Sequence, residues 1–130
     1  MTREYKELLL EDLCARLPYA VKFMYNKNIY TIKGLDLIVT DEDDWEYAVT
    51  AKDIAPIEID FIKPYLFPLS SMTEEQKMLL KQQNWCIATS TSGTVETTVE
   101  GIDWLNKNHF DVNNLIPIGL AIDATGLNIY

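Results

Sequence analysis

The stretch from Ile57 to Lys81 constrains the fold most, because a strand pattern, a break in pairing and a helix start follow one another in it. Apolar and acidic residues alternate up to Phe61, which is the period of a strand with one buried face. Pro64 and Pro68 lack an amide donor and are predicted to end regular strand pairing. Together with a helix predicted at the N-terminus, the order helix, strands, helices indicates an α+β chain.

A helix start follows this break. In the sequence Thr73-Glu74-Glu75-Gln76, the Thr73 hydroxyl can accept a hydrogen bond from the amide three residues on, and Gln76 can reach back. The two acids also suit the positive end of a helix dipole. A helix is therefore predicted from Thr73 to about Asn84.

The N-terminal half predicts one helix and a sheet. The helix runs from Thr2 to Leu17 and ends at Pro18. Its predicted apolar face consists of Leu9, Leu10, Leu13, Cys14 and Leu17. Alternating patterns predict four strands, at Val21–Tyr25, Ile29–Val39, Trp45–Ala51 and Ile57–Ile62. Asn26-Lys27-Asn28 is typical of a hairpin turn, and Gly34 of a bulge or a bend in the long second strand.

The C-terminal half predicts a second and a third helix with loops between them. Trp85 to Ala88 is either a helix extension or a fifth strand, and Ser90 to Thr98 reads as a loop. The third helix begins at Thr94 or Thr98 and ends near Asn108, and Asp111 caps a short last helical turn through Leu115. The predicted face of the third helix is Val95, Val99, Ile102 and Leu105.

These elements predict a single α+β domain over residues 1–130. It comprises an N-terminal helix, a curled four-stranded antiparallel sheet that is either open or partly closed into a small barrel, and two or three C-terminal helices. The chain contains no apolar run long enough to span a membrane, and its first residues lack the apolar core of a signal peptide, so a cytoplasmic location is expected. Cys14 and Cys86 are expected to be free thiols.

Charge narrows the choice of partner. Twenty acidic residues against eleven basic ones give a net charge of −9, which disfavours generic binding to nucleic acids, since that binding depends on basic side chains. An acidic surface instead suits a basic protein. A small anion also remains possible, because a few donors or a helix end can hold one.

Two sequence blocks carry a resemblance. The block KPYLFPLSSMTEEQK, at Lys63–Lys77, and the block IDWLNKNHFDVNNLIPIGLAIDA, at Ile102–Ala124, together resemble a family of small uncharacterised proteins encoded by phages and mobile elements of gut Bacteroidota. The resemblance implies that genomic setting. It implies no activity, cofactor or site residue.

The densest charge lies in one predicted loop. The acids Asp41, Glu42, Asp43 and Asp44 precede the aromatic residues Trp45 and Tyr47. A calcium loop needs an oxygen ligand at its fifth position and glycine at its sixth, but this sequence has Trp45 and Glu46 there. A solvated hairpin loop is one interpretation, with Trp45 and Tyr47 as core residues of the strand that follows it. The alternative is a partner-binding site in which the aromatic residues anchor a basic protein.

A second loop has the composition of an anion site. The residues Thr89, Ser90, Thr91, Ser92, Gly93 and Thr94 could hold a phosphate through backbone amides, although no lysine completes a nucleotide-binding loop. The only histidine, His109, and Cys86 form no recognisable catalytic pair. No catalytic residue, metal ligand or cofactor is predicted.

Three functions remain open. The first is a small phage or mobile-element binding protein that acts by occupancy, for example in counter-defence, by inhibiting a host protein or by sequestering a nucleotide signal. The second is a hydrolase of phosphorylated small molecules, with Asp36, Asp41, Asp43 and Asp44 holding magnesium. The third is an accessory protein of phage assembly. The absence of a catalytic motif favours the first.

Overall fold

A computed structural model describes residues 2–39, 44–85, 88–89 and 95–130. The chain divides into two compact units, Met1–Tyr65 and Leu66–Tyr130. The helices are α1 (Arg3–Arg16), α2 (Glu74–Gln82) and α3 (Val99–Lys107). The strands are β1 (Lys22–Tyr25), β2 (Asn28–Val39), β3 (Trp45–Ala51), β4 (Ile57–Glu58), β5 (Lys63–Leu66), β6 (Ala88–Thr89), β7 (Val95–Glu96) and β8 (Ile122–Asp123).

The predicted N-terminal helix is confirmed, but its buried face differs from the predicted one. The Thr2 hydroxyl caps α1 by accepting a hydrogen bond from the Tyr5 amide at 3.2 Å. The buried residues are Leu9, Asp12, Leu13 and Arg16, whereas Cys14 is exposed. These four positions follow the i, i+3, i+4, i+7 spacing of one helix face. Two of the four are charged, so the apolar pattern alone placed the face incorrectly.

The two charged residues on this buried face form an ion pair with each other. Arg16 donates from Nε to Asp12 Oδ2 at 2.8 Å and from a terminal nitrogen to Oδ1 at 3.0 Å. Both side chains are fully buried. The bidentate geometry offsets part of the cost of removing two charges from water.

The predicted hairpin and its bulge are both confirmed. Asn26 and Lys27 have φ of 49° and 65°, as the two central residues of a tight hairpin turn require. The pairing of β2 with β3 shifts between Ile32 and Gly34. Because an extra residue moves the following side chains to the opposite face, this bulge puts Leu35 on the same face as Ile32.

Two strand predictions in the first unit are wrong. The fourth strand ends at Glu58, and residues Ile59–Phe61 form a 3₁₀ turn. Pro64 does not end pairing, because it lies within β5 opposite Phe23. Only two residue pairs join β1 to β5, so the missing proline donor costs little of the ladder. Burial of Pro64, Tyr65 and Leu66 compensates for it.

The predicted sheet of four strands, open or partly closed as a barrel, is also corrected. The first unit holds β4, β3, β2, β1 and the residues of β5 up to Tyr65, in that hydrogen-bonded order. In the second unit, the Leu66 carbonyl at the end of β5 accepts from the Ala124 amide at 2.8 Å. The complete order is β4-β3-β2-β1-β5-β8. The sheet therefore has six strands and is open.

The second unit contains the two C-terminal helices. The capping box at Thr73 and Gln76 is present in full, and Thr98 caps α3. Val95, Leu105, Phe110 and Val112 form a core cluster against which Trp104 packs. Val99 is 83% exposed, so its predicted place on the packed face is wrong. Val95 and Glu96 form β7, which corrects the predicted loop over these residues.

The Asp111 side chain caps a turn, as predicted, but that turn is not helical. Its two carboxylate oxygens accept hydrogen bonds from the Leu115 amide at 2.8 Å and the Ile116 amide at 2.9 Å.

Among the described residues, no helix is long and apolar enough to cross a bilayer.

Candidate functional site

Four apolar side chains are exposed together at one end of the β2–β3 pair. Leu37 lies opposite Tyr47, and Val39 lies opposite Trp45. Since alternate residues of a strand share a face and opposed residues lie side by side, all four point to the same side. Leu37 is 51% exposed and Tyr47 is 42% exposed, and Val39 and Trp45 are 55% and 65% exposed. We call Leu37, Val39, Trp45 and Tyr47 the ribbon tip.

The same face is covered farther along the strands. Ile32, Val49 and Ala51 are buried, and we call these three residues the ribbon base. Leu10 and Cys14 of α1 border a hollow together with Leu35, Leu37 and Tyr47. The helix thus approaches this face and leaves the ribbon tip open.

A groove separates the N-terminal half of α1 from the first residues of β3. Its volume is about 640 Å³, within the range of ligand and peptide clefts. It is lined by Arg3, Lys6, Glu7, Leu10, Glu11, Asp44, Trp45, Glu46 and Tyr47. Four of these residues are acidic and two are basic, so the groove carries a net negative charge.

Both basic residues of the groove are paired. Lys6 Nζ lies 2.7 Å from Glu46 Oε2 and 3.2 Å from Asp60 Oδ2. The hydrogen bond with Glu46, assisted by Asp60, raises the pKa of Lys6 above its usual value of 10.5, although burial acts in the opposite direction. Arg3 Nε lies 3.3 Å from Glu7 Oε1. Glu11 and Asp44 remain exposed in the wall of the groove.

Backbone amides along the ribbon are held by carboxylates of the residues that precede them. The Leu37 amide donates to Asp36 Oδ1 at 2.8 Å, and the Tyr47 amide to Glu46 Oε1 at 3.1 Å. The Trp45 amide donates to Asp44 Oδ1 at 2.8 Å. Leu37 and Tyr47 are directly opposed, and both amides donate to side chains and not across the pair, so this is a non-hydrogen-bonded pair whose amides point outward to the two edges of the ribbon.

The structure brings together only part of the predicted partner site. Asp44, Trp45 and Tyr47 line the groove, whereas Asp41, Glu42 and Asp43 lie outside the described residues. Sequence reasoning missed Leu37 and Val39. Alternation along β2 places them on the face of Tyr47 and Trp45, but that pattern does not show whether the face is covered. The interpretation of Trp45 and Tyr47 as core residues is wrong, because these side chains are 65% and 42% exposed.

The predicted anion site is described only at its first residue. The backbone of Thr89 lies in β6, while Ser90, Thr91, Ser92, Gly93 and Thr94 lie outside the described residues. Cys86 lies outside them as well. His109 follows α3 with φ of 64°, and its ring stacks on Tyr130 with centroids 3.7 Å apart.

The described part of the chain contains no candidate metal site. Within residues 2–39, 44–85, 88–89 and 95–130, no group of three or more His, Cys, Asp or Glu side chains is placed to hold a metal ion.

Comparisons of this chain with protein-family models, curated protein sequences and solved structures found no match.

Proposed function

We propose that this chain is a small binding protein that acts by occupancy on a basic partner protein. The ribbon tip and the groove beside it form the contact surface. The observation that carries this proposal is the pairing of Leu37 with Tyr47 and of Val39 with Trp45 on one exposed face. Exposed apolar residues grouped in this way are typical of interaction sites, and Trp and Tyr are enriched among residues that dominate binding energy.

The charge of the chain supports a basic partner. The net charge is −9, and the ribbon tip adjoins the acids Asp41, Glu42, Asp43 and Asp44 in sequence. Opposite charge raises the association rate and selects among partners. In the genomic setting that the resemblance implies, a bacterial host protein is the natural target, and inhibiting it would serve counter-defence.

The other hypotheses have less support in the described residues. Sequestering a nucleotide signal would use Thr89 to Thr94, most of which lie outside those residues. The hydrolase hypothesis relied on magnesium held by Asp36, Asp41, Asp43 and Asp44, and the Asp36 carboxylate accepts a hydrogen bond from the Leu37 amide. No observation favours an assembly role.

Recovery of partners from a Bacteroidota lysate tests the proposal. The tip variant replaces Leu37, Val39, Trp45 and Tyr47 with Thr, which keeps strand propensity and removes large apolar surface. The control variant replaces Ile29 and Phe61 with Thr, whose native side chains are 49% and 64% exposed. We expect the parent and the control to retain a basic protein that the tip variant loses.

Salt provides a second readout. Because the field between exposed charges is screened over about 10 Å at 0.1 M salt, association of the recovered protein should slow as salt rises. Neutralising Asp41, Glu42, Asp43 and Asp44 to Asn or Gln should reduce that salt dependence. Equal recovery by parent and tip variant would contradict the proposal.

A further inference from the structure

The outer edge of β3 is only partly paired. β4 joins that edge at two positions, with Glu58 opposite Ala48 and Ile57 opposite Val49. The chain then leaves the strand conformation in the 3₁₀ turn Ile59–Phe61, which remains in contact with β3 but adds no further strand pairing. Within the described residues, no strand pairs with the edge from Trp45 to Tyr47. The groove beside α1 provides open space along these residues.

The amides on this edge are held by groups that a ligand can displace. The Tyr47 amide bonds to the Glu46 carboxylate, and the Trp45 amide to the Asp44 carboxylate. Each bond involves a side chain of the adjacent residue instead of a neighbouring strand. A carbonyl of an incoming strand can therefore replace each carboxylate without breaking the ladder between β2 and β3. Acidic side chains in this position also protect a free edge from indiscriminate pairing.

We infer that the β3 edge accepts an extended basic segment of the partner protein as an added strand. This inference rests on the proposed function and specifies how the partner binds. Strand addition takes affinity from main-chain hydrogen bonds and specificity from alternate side chains. Here the bonds would form at the Trp45 and Tyr47 amides, beside the two largest side chains of the ribbon tip.

Charge determines the kind of segment. A strand entering the groove would pass Glu11 and would release the carboxylates of Asp44 and Glu46 from the edge amides. Lys or Arg at alternate positions of the segment, about 6.6 Å apart, would pair with the Asp44 carboxylate and share the Glu46 carboxylate with Lys6, which lies 2.7 Å from Glu46 Oε2. Apolar residues between them would face Trp45 and Tyr47. A second copy of this chain fits poorly, because each copy carries a net charge of −9.

Peptide binding tests this inference directly. The probe is a short peptide of alternating Lys and Val, and the matched control is the same peptide N-methylated at every residue. N-methylation at every residue removes the main-chain donors from both edges of the peptide while keeping the side-chain charges. We expect the control to bind at least about tenfold more weakly, as the loss of one or two good hydrogen bonds implies. The Tyr47 and Trp45 amides should gain protection from hydrogen exchange only with the unmethylated peptide.

Proline variants locate the edge. Because the Tyr47 amide points away from β2, Tyr47→Pro removes an edge donor without removing a bond to β2. Tyr47→Pro should bind at least about tenfold more weakly than Tyr47→Ala. Leu37→Pro and Leu37→Ala, on the opposite edge, should bind alike. If Tyr47→Pro fails to fold, as judged by its melting curve, the N-methylated peptide decides the question.

The outcomes separate this inference from the proposed function. Equal binding of the two peptides, or failure of the unmethylated peptide to bind at millimolar concentration, would overturn strand addition. The proposed function would stand in either case if the tip variant still lost its partner from lysate. A tip variant that recovers every partner as the parent does would overturn the proposed function, and with it this inference.

Discussion

The ribbon base and the ribbon tip occupy one face of the same two strands but differ in what covers them. At the base, Ile32 is 3% exposed and Val49 is fully buried, whereas at the tip Val39 and Trp45 are 55% and 65% exposed. Alternation of side chains accounts for both ends equally well. The difference shows that alternation defines a face, while packing by other elements decides whether the face belongs to the core.

Two ion pairs on helix α1 show the same contrast between a covered and an exposed position. Asp12–Arg16 and Arg3–Glu7 have the same spacing of four residues, which places both pairs within reach on a helix surface. The first pair is fully buried, and the side chains of the second are 91% and 65% exposed. The buried pair fixes the packed face of α1, and the exposed pair lies in the wall of the groove.

The largest loss of stability is expected on breaking the buried ion pair Asp12–Arg16. Asp12→Ala leaves the Arg16 guanidinium buried without its carboxylate, which should lower the free energy of unfolding by about 3–5 kcal/mol. Denaturant unfolding followed by circular dichroism would measure the loss. A double variant, Asp12→Ala with Arg16→Met, should recover much of it, because the uncompensated charge is gone. A loss below about 1 kcal/mol in the single variant would mean that other partners of Arg16 or water compensate its charge.

The second prediction compares the loss of stability on truncating one apolar residue at each end of β2. Ile32→Ala should cost about 2–5 kcal/mol through lost burial and a cavity. Leu37→Ala, in the same strand and on the same face, should change stability by less than about 0.5 kcal/mol. Melting curves and denaturant midpoints of the two variants measure this directly. Similar losses in both would show that the ribbon tip is covered in solution, for example by self-association.

The sequence predicted well where local chemistry determines structure. The hairpin turn at Asn26 and Lys27 and the capping boundaries at Thr73 and Thr98 depend on a few neighbouring atoms, and all are present. A bulge at Gly34 was predictable for the same reason, although the sequence could not say which residues it would bring to the face of Ile32.

The predictions that the structure corrects share a different cause. The inclusion of Pro64 in β5, the buried pair on α1 and the exposure of Val99 depend on elements distant in sequence. Part of the candidate site was predictable, since Asp44, Trp45 and Tyr47 combine charge and aromatic residues at a predicted strand start. Leu37 and Val39 read as ordinary core residues, because nothing local indicates that their face lacks a cover.

A smaller effect is expected at Lys6, whose ion pairs are intermediate in exposure. Its side chain and those of Glu46 and Asp60 are 25%, 17% and 26% exposed. Lys6→Met should cost about 1 kcal/mol or less, as partly solvated pairs do. The raised pKa of Lys6 sets the pH dependence. The stabilisation is complete below pH 10.5, the usual value, and is lost as pH rises through the folded-state pKa.

This pH dependence is measured as a difference. The stabilities of the parent and of Lys6→Met should be compared at each pH from neutral to strongly alkaline, so that the contributions of all other groups cancel. The gap between them should be constant below pH 10.5 and should narrow above it. A gap that stays constant throughout would show that Lys6 contributes through its aliphatic stem and not through its charge.

The smallest effect is expected at the exposed pair. Arg3→Gln removes the same kind of interaction as the Asp12 variant does, at the same helical spacing, yet stability should change by less than about 0.5 kcal/mol because water solvates both groups. The change should shrink further at high salt. Arg3 also lines the groove, so removing its positive charge should speed association of the Lys–Val peptide while leaving the melting curve nearly unchanged. Stopped-flow association at low and high salt would show this. A large loss of stability in Arg3→Gln would mean that the pair is shielded from solvent, and the contrast between the two ends of α1 would then fail.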